Sequence, residues 1–224
     1  VMLRRPDITA KAVYKFFRAA SDGETLHIYS PDGSQVLESF HFGRQSVNDG
    51  LCLADYTLPM ASDRADYVCL LATTVGPGVR ALADQWREAG QYLKSHILQV
   101  LALEGAEAFA ELLHQKVRQM WGFADPPGTT LKDLIKVRYR GVRVSFGYPA
   151  CPRLEDQEQL FRLLEVTKRI GVQLTDGYMM DPEGSVSALV FHHPDAKYFS
   201  LTPEDTERLE RAIDSEERVE VAVP

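Results

Sequence analysis

Arg143-Val144-Ser145-Phe146-Gly147-Tyr148-Pro149-Ala150-Cys151-Pro152 joins a fixed cation, a glycine, a phenol and two prolines in one short string. Arg143 offers a planar fork of donors that matches a carboxylate. Gly147 lets the backbone approach a ligand with no Cβ in the way, and Pro149 and Pro152 limit φ around Ala150-Cys151. The string reads as a loop that clamps a small molecule through one side chain and several backbone groups. A proline-punctuated turn beside a surface arginine is the ordinary fate of Gly-Tyr-Pro taken alone.

Upstream of this loop the pattern changes period twice. Leu26 to Ser30 and Gln35 to Ser39 flank Pro31-Asp32-Gly33, which predicts an antiparallel hairpin. Asp66 to Thr74 is rich in β-favouring residues and stops at Gly76-Pro77-Gly78, a central strand followed by a turn. Two helices follow, Val79 to about Ala89 and Gln91 to Trp121. In the second, Ala102, Ala106, Phe109, Leu113, Val117 and Met120 recur at three- and four-residue steps and predict a core-facing stripe. Glu104, Glu107, Glu111, His114 and Arg118 occupy the adjoining face, and Gly122 with Asp125-Pro126-Pro127-Gly128 ends the helix.

Downstream, Asp156 to Ile170 predicts one amphipathic helix. Ser185 to Phe191 and Lys197 to Leu201 predict strands around the turn His193-Pro194-Asp195, and Thr202-Pro203-Glu204-Asp205 predicts the cap of a last helix. Long helices mixed with antiparallel strands, without βαβ alternation, give an α+β fold. No glycine-rich nucleotide fingerprint stands at a strand-to-helix turn, which disfavours a Rossmann-type methyltransferase.

The 224 residues, 45% hydrophobic and 25% charged, suffice for a real core. A net charge of −7 argues against a phosphate backbone as partner. The longest apolar run, Tyr67 to Val75, is far shorter than the roughly 20 residues that span a bilayer, and the opening Val-Met-Leu-Arg-Arg-Pro lacks a signal-peptide core. A cytoplasmic location is expected, with no membrane partner. Cys52, Cys69 and Cys151 are odd in number and far apart, so they read as reduced thiols, and no zinc or other metal site is expected. His192 and His193, adjacent on an extended chain, point to opposite faces and do not share a metal. Cys151 has no evident partner base, so no catalytic residue is assigned.

The string from Arg143 to Pro152 resembles the Arg-x-x-x-Gly-Tyr-Pro-Ala-Cys-Pro signature of the C-terminal activation domain of cobalamin-dependent methionine synthase. Cys52 to Tyr56, Ala65-Asp66-Tyr67, Ala81 to Asp84, Ala106 to Glu111, Leu163 to Val166, Ser185 to Ser187 and His193 to Phe199 follow in that family's order. The resemblance covers about Leu51 to Leu201. It implies a curved domain around a bent antiparallel sheet with long flanking helices. It divides the chain into a loosely matched N-terminal hairpin region (1–50), an activation-domain core (51–201) and a C-terminal helix and tail (202–224).

The resemblance implies that S-adenosylmethionine binds here. Arg143 matches the family's carboxylate-binding arginine, Gly147, Tyr148 and the backbone of Ala150 match the loop along the ligand, and Tyr198 with Phe199 matches the contact segment near the adenosine. Glu107 matches an acidic residue near the methionine end. A solvated helix face is the usual fate of such a glutamate, yet Glu104, Glu107 and Glu111 repel one another unless a cation answers them, and a bound sulfonium and ammonium would. The family belongs to a 5-methyltetrahydrofolate–homocysteine methyltransferase. In it, cobalamin held by a neighbouring domain is reductively remethylated after oxidation to cob(II)alamin, with flavodoxin as electron donor. The basic residues Lys132, Lys136, Arg138 and Arg140 are read as a docking surface for that acidic partner.

The chain departs from the family at three points. An upstream aspartate in an Asp-Trp context has no counterpart at Asp7 or Asp22, Arg153-Leu154-Glu155 stands where a histidine follows Ala-Cys-Pro, and the tail is short. With Val1 at the start, the first reading is a reactivation domain cut from a longer enzyme, which alone does not make methionine. The second is a separate activating subunit of a corrinoid methyltransferase with weak or no ligand binding.

Overall fold

Gly23, at φ +56°, opens the two-residue link between β1 (Lys11–Asp22) and β2 (Thr25–Tyr29), which pair antiparallel from Asp22↔Thr25 to Arg18↔Tyr29. A positive φ at this position is what tight hairpin turns need, because it matches the twist of the strands. β2 then pairs antiparallel with β3 (Val36–His41) across the predicted Pro31-Asp32-Gly33 turn. A computed structural model describes residues 8–47 and 49–221. The opening stretch, Asp7 and the last three residues of the tail lie outside the described residues.

After a 3₁₀ turn at Leu53–Tyr56 come β4 (Asp66–Thr74), α1 (Gly78–Glu88), α2 (Tyr92–Trp121) and a short α3 (Leu131–Ile135). β5 (Val142–Val144) leads into the signature string. The chain continues through α4 (Gln157–Leu164), α5 (Val166–Ile170), β6 (Gln173–Leu174), β7 (Met180–Asp181), β8 (Ser185–Phe191) and α6 (Pro203–Val221). Six strands form one open sheet in the order β3-β2-β1-β4-β8-β5, and β6 and β7 form a separate antiparallel pair. The α+β expectation holds. β8 is buried at every residue and β4 at all but Tyr67, so their sequences read as apolar runs without alternation.

The chain divides into two units. The first comprises Val1–Lys15, Leu70–Tyr139 and Leu154–Leu189, the second Phe16–Cys69, Arg140–Arg153 and Val190–Pro224. In the first, Val79, Leu82 and Ala83 of α1 pack with Leu98, Ala102, Ala106 and Ala110 of α2 and with Val186 of β8. Small residues on α2 let the helices approach closely. Met120 is half exposed and Phe109 is only partly covered, so the core stripe runs through Ala110 instead of through these two.

His114 and Arg118 are also core residues, not members of a solvated face: each is fully buried. Arg118 forks onto Asp125 at 2.7 and 2.8 Å and lies 3.8 Å over the Tyr139 ring, so its charge is met on the carboxylate and the π-face.

The single helix predicted from Asp156 to Ile170 is broken at Glu165, which takes a left-handed φ of +51°. Its N–H closes α4 on Arg162, its carbonyl starts α5, and its carboxylate holds Lys168 at 2.9 Å and Arg169 at 2.7 Å. These local bonds offset the cost of a non-glycine residue in that region.

In the second unit, Phe40 of β3 stacks with Phe42 and meets Phe146 of the signature string at 5.8 Å between ring centres. Buried Leu26 and Ile28 of β2 complete this face.

Candidate functional site

The signature loop is built on a strand edge. Gly141, at φ +84°, sets β5 so close to β8 that a Cβ there would collide with the Phe191 carbonyl. Val142 and Val144 are buried, and by strand alternation Arg143 between them faces the other side, where it is half-buried.

Beyond Val144 the chain dips so that Phe146 anchors on Phe40, then rises at Gly147, whose φ is +78°. The Gly147 N–H donates to the Cys151 carbonyl at 2.9 Å, and the Cys151 N–H donates to the Tyr148 carbonyl at 2.8 Å. Tyr148 to Cys151 is thus a closed turn with Pro149 at its second position, the place where a fixed φ near −65° is pre-set. Ala150 and Cys151 are buried beneath it, while Gly147 and Tyr148 face outward.

A second segment lies against this turn. The Leu201 N–H donates to the Pro149 carbonyl at 2.9 Å. Burial raises the pKa of the Tyr198 phenol, opposed by its hydrogen bond with the Ala150 backbone. Tyr198 keeps 45% of its surface exposed, and Phe199 next to it in sequence is buried. The strand predicted from Lys197 to Leu201 does not form. Its peptide groups are instead tied to side chains, Ser200 to Gln45 at 2.8 Å and Lys197 to Tyr56 at 2.9 Å, so no ladder is needed.

Gly147, Tyr148, Ala150, Tyr198 and Phe199 are therefore brought together, with Arg143 four residues before Gly147 on the strand that leads in. Glu107 belongs to the other unit, on an exposed turn of α2. The like-charge series that drew attention to it is answered in part by the protein: Glu111 lies 3.8 Å from Arg118 and 3.4 Å from the Tyr139 hydroxyl.

Sequence reasoning missed Gln45, Tyr56 and Asp205 as supports. Tyr56 stood inside a quoted fragment, but nothing in its spacing showed that a 3₁₀ turn aims its hydroxyl at Lys197. Asp205 stands in the capping signal Thr202-Pro203-Glu204-Asp205. It does cap Thr202, and it also accepts from the Ser46 N–H at 2.9 Å.

His192 donates its Nε2–H to the Asp66 carboxylate at 2.6 Å, and His193 stacks on Tyr56, so the two rings have separate partners. Among the described residues no group of three or more His, Cys, Asp or Glu is placed to hold a metal ion. All three cysteines are buried and outside any disulfide, and burial pushes Cys52 up to about 11. A cavity of about 460 Å³ in the first unit, lined by Val79, Arg80, Leu103, Met179 and Asp181 among others, contains none of the predicted ligand residues. Its two arginines are already paired, Arg80 with Asp181 and Arg87 with Asp84.

The sequence model described as "Vitamin B12 dependent methionine synthase, activation domain" matches residues 1–214. The methionine synthase of Mycobacterium tuberculosis is 34% identical over 207 residues, 86% of this chain and 17% of that protein. The chain thus spans about a sixth of the length of this relative. Among solved structures, the MetH reactivation domain bound to AdoHcy superposes with a TM-score of 0.85 at 34% identity, covering 93% of this chain and 67% of that one.

Proposed function

The chain belongs to the activation-domain family of vitamin B12-dependent methionine synthase, and we propose on that basis that it binds S-adenosylmethionine for reductive remethylation of cob(II)alamin. In this reading it is one part of a cobalamin-dependent methyltransferase, works in the cytoplasm, and faces a cobalamin-binding domain of the same enzyme. The observation that carries the reading is the joining of the signature turn to the segment 197–201, through the Leu201–Pro149 bond and the Tyr198–Ala150 contact. Two chain segments far apart in sequence meet to present two phenol rings and a Cβ-free backbone.

The donor set fits the ligand. Arg143 receives the carboxylate in a charge-assisted fork, which fixes orientation as well as affinity. The Gly147 and Ala150 backbone and the faces of Tyr148 and Tyr198 receive the nucleoside, with Phe199 as the packed floor. The bound donor supplies a sulfonium methyl, and cobalamin supplies a reducible cobalt centre. The protein's own task is orientation and exclusion of water, and no side chain has to move a proton.

Flavodoxin is the proposed reductant, docking on the α3 face. There Leu131, Ile135 and Val137 are 72, 73 and 52% exposed among Lys132, Lys136 and Arg138. Arg140, first grouped with these cations, instead donates to the His192 carbonyl at 2.8 Å. Calorimetric titration of the chain with S-adenosylmethionine tests the reading. One-to-one binding is expected, and absence of heat at millimolar ligand, with S-adenosylhomocysteine equally silent, would refute it.

A further inference from the structure

Residues 194–202 form no helix or strand, so the order of this segment depends on side chains that grip its peptides. Tyr56 grips the peptide directly before Tyr198. Its hydroxyl donates to the Lys197 carbonyl at 2.9 Å and accepts from the Lys197 N–H at 3.3 Å. Both polar groups of one residue are thereby satisfied by a single buried oxygen.

The base of this grip is rigid. Tyr56 is 5% exposed, and its ring is wedged edge-on against Phe191 at 5.9 Å and stacked with His193 at 6.0 Å. It ends the Leu53–Tyr56 turn, which Thr57 locks by donating both its N–H and its hydroxyl to the Ala54 carbonyl. Gln45 to Ser200 and Leu201 to Pro149 tie the segment after Tyr198. Before it stand the short turn that ties the Ala196 and Asp195 N–H groups to His193, the Tyr56 grip, and the ion pair of Lys197 with Asp49, which is exposed and heavily screened.

We propose that Tyr56 is a positioning residue for the nucleoside side of the ligand site, acting through the Lys197 peptide to fix Tyr198 against the Ala150 turn. The proposal rests on the reading of Tyr198 as a ligand contact. A phenol retained only to fill space would need no hydroxyl. Here the hydroxyl makes two bonds to one peptide, and Tyr56→Phe removes both while leaving the packed ring.

The test titrates the 224-residue chain and its Tyr56→Phe form with S-adenosylmethionine and with 5′-methylthioadenosine, which has the nucleoside and no carboxylate. Tyr56→Phe is expected to weaken both ligands by the same factor, about five- to twentyfold, with unchanged stoichiometry. The Lys197 amide should also exchange its hydrogen faster while the amides of β4 and β8 keep their rates. Arg143→Ala, in contrast, should weaken S-adenosylmethionine much more than the truncated ligand. Equal affinities for Tyr56→Phe and the parent chain would overturn the proposal. So would a loss seen as reduced stoichiometry, because that marks a misfolded fraction instead of a displaced contact. If the parent chain binds neither ligand, the functional reading itself falls and takes this role with it, a result visible before any substitution is made.

Discussion

Arg143 is a guanidinium half-buried on a strand edge, and its planar fork is the feature that a lysine cannot copy. Arg143→Ala should remove a charge-assisted contact of about 1.5–3 kcal/mol and weaken S-adenosylmethionine about ten- to a hundredfold. Arg143→Lys should recover only part of this, and unchanged calorimetric affinity in either variant would sink the assignment. Cys151, 2% exposed beneath the closed turn, is expected to be structural. Cys151→Ala should keep ligand affinity within a few fold at a stability loss of about 1 kcal/mol. Stoichiometric alkylation of Cys151 that the ligand blocks would contradict that. The proposed ligand residues stand out in the sequence because glycine, proline and arginine announce their geometry by type. Tyr56 and Gln45 do not, since their value lies in which distant carbonyl they reach, and no local pattern encodes a partner some 140 residues away in sequence.

α6 begins on a carboxylate with several tasks. Asp205 is fully buried and accepts from the N–H groups of Thr202 at 3.0 Å and Ser46 at 2.9 Å. Burial alone would raise its pKa, but these bonds outweigh it and hold the group at about 2. The folded value is below the unfolded value of about 3.9, so the stabilisation is complete above that value and is lost as pH falls through the folded one. Urea midpoints between pH 2 and 6 should therefore decline more shallowly on acidification in Asp205→Asn than in the parent chain. A parallel decline in both would remove Asp205 from the account. At the far end of α2, Asp125→Ala strands the buried Arg118 charge and should cost about 3–5 kcal/mol, whereas Arg118→Met with Asp125→Leu should recover most of it. Denaturant unfolding of both forms decides between them. The existence of β2, β3, β4, α1, α2, β8 and α6 was readable from period and punctuation, whereas β1 and the short α3, β5, β6 and β7 were not. Element interruption was not readable either: Glu165 breaks a sound amphipathic pattern through bonds to Lys168 and Arg169 that also suit an unbroken helix. The missing strand at 197–201 has the right residue types and lacks only a ladder.

For the molecule as a whole, a net charge of −7 makes a cationic patch conspicuous. Reversing Lys132 and Lys136 to glutamate should slow association with reduced flavodoxin by about tenfold at low salt and flatten its salt dependence. Ligand affinity should not change, and an unaltered stopped-flow rate would discard the docking face. The α+β class was legible from the mixture of periods. The division into two units was not, because it depends on which segments meet, and each unit gathers three separate stretches of chain. β1, β4 and β8 each begin in one unit and finish in the other. That threading bears on the protein's birth at the ribosome. The first unit lacks its last stretch until Leu189 has emerged, and the second waits for residues beyond Val190. Neither is complete until at least 189 of the 224 residues have been made. No single cut in the chain releases either one whole.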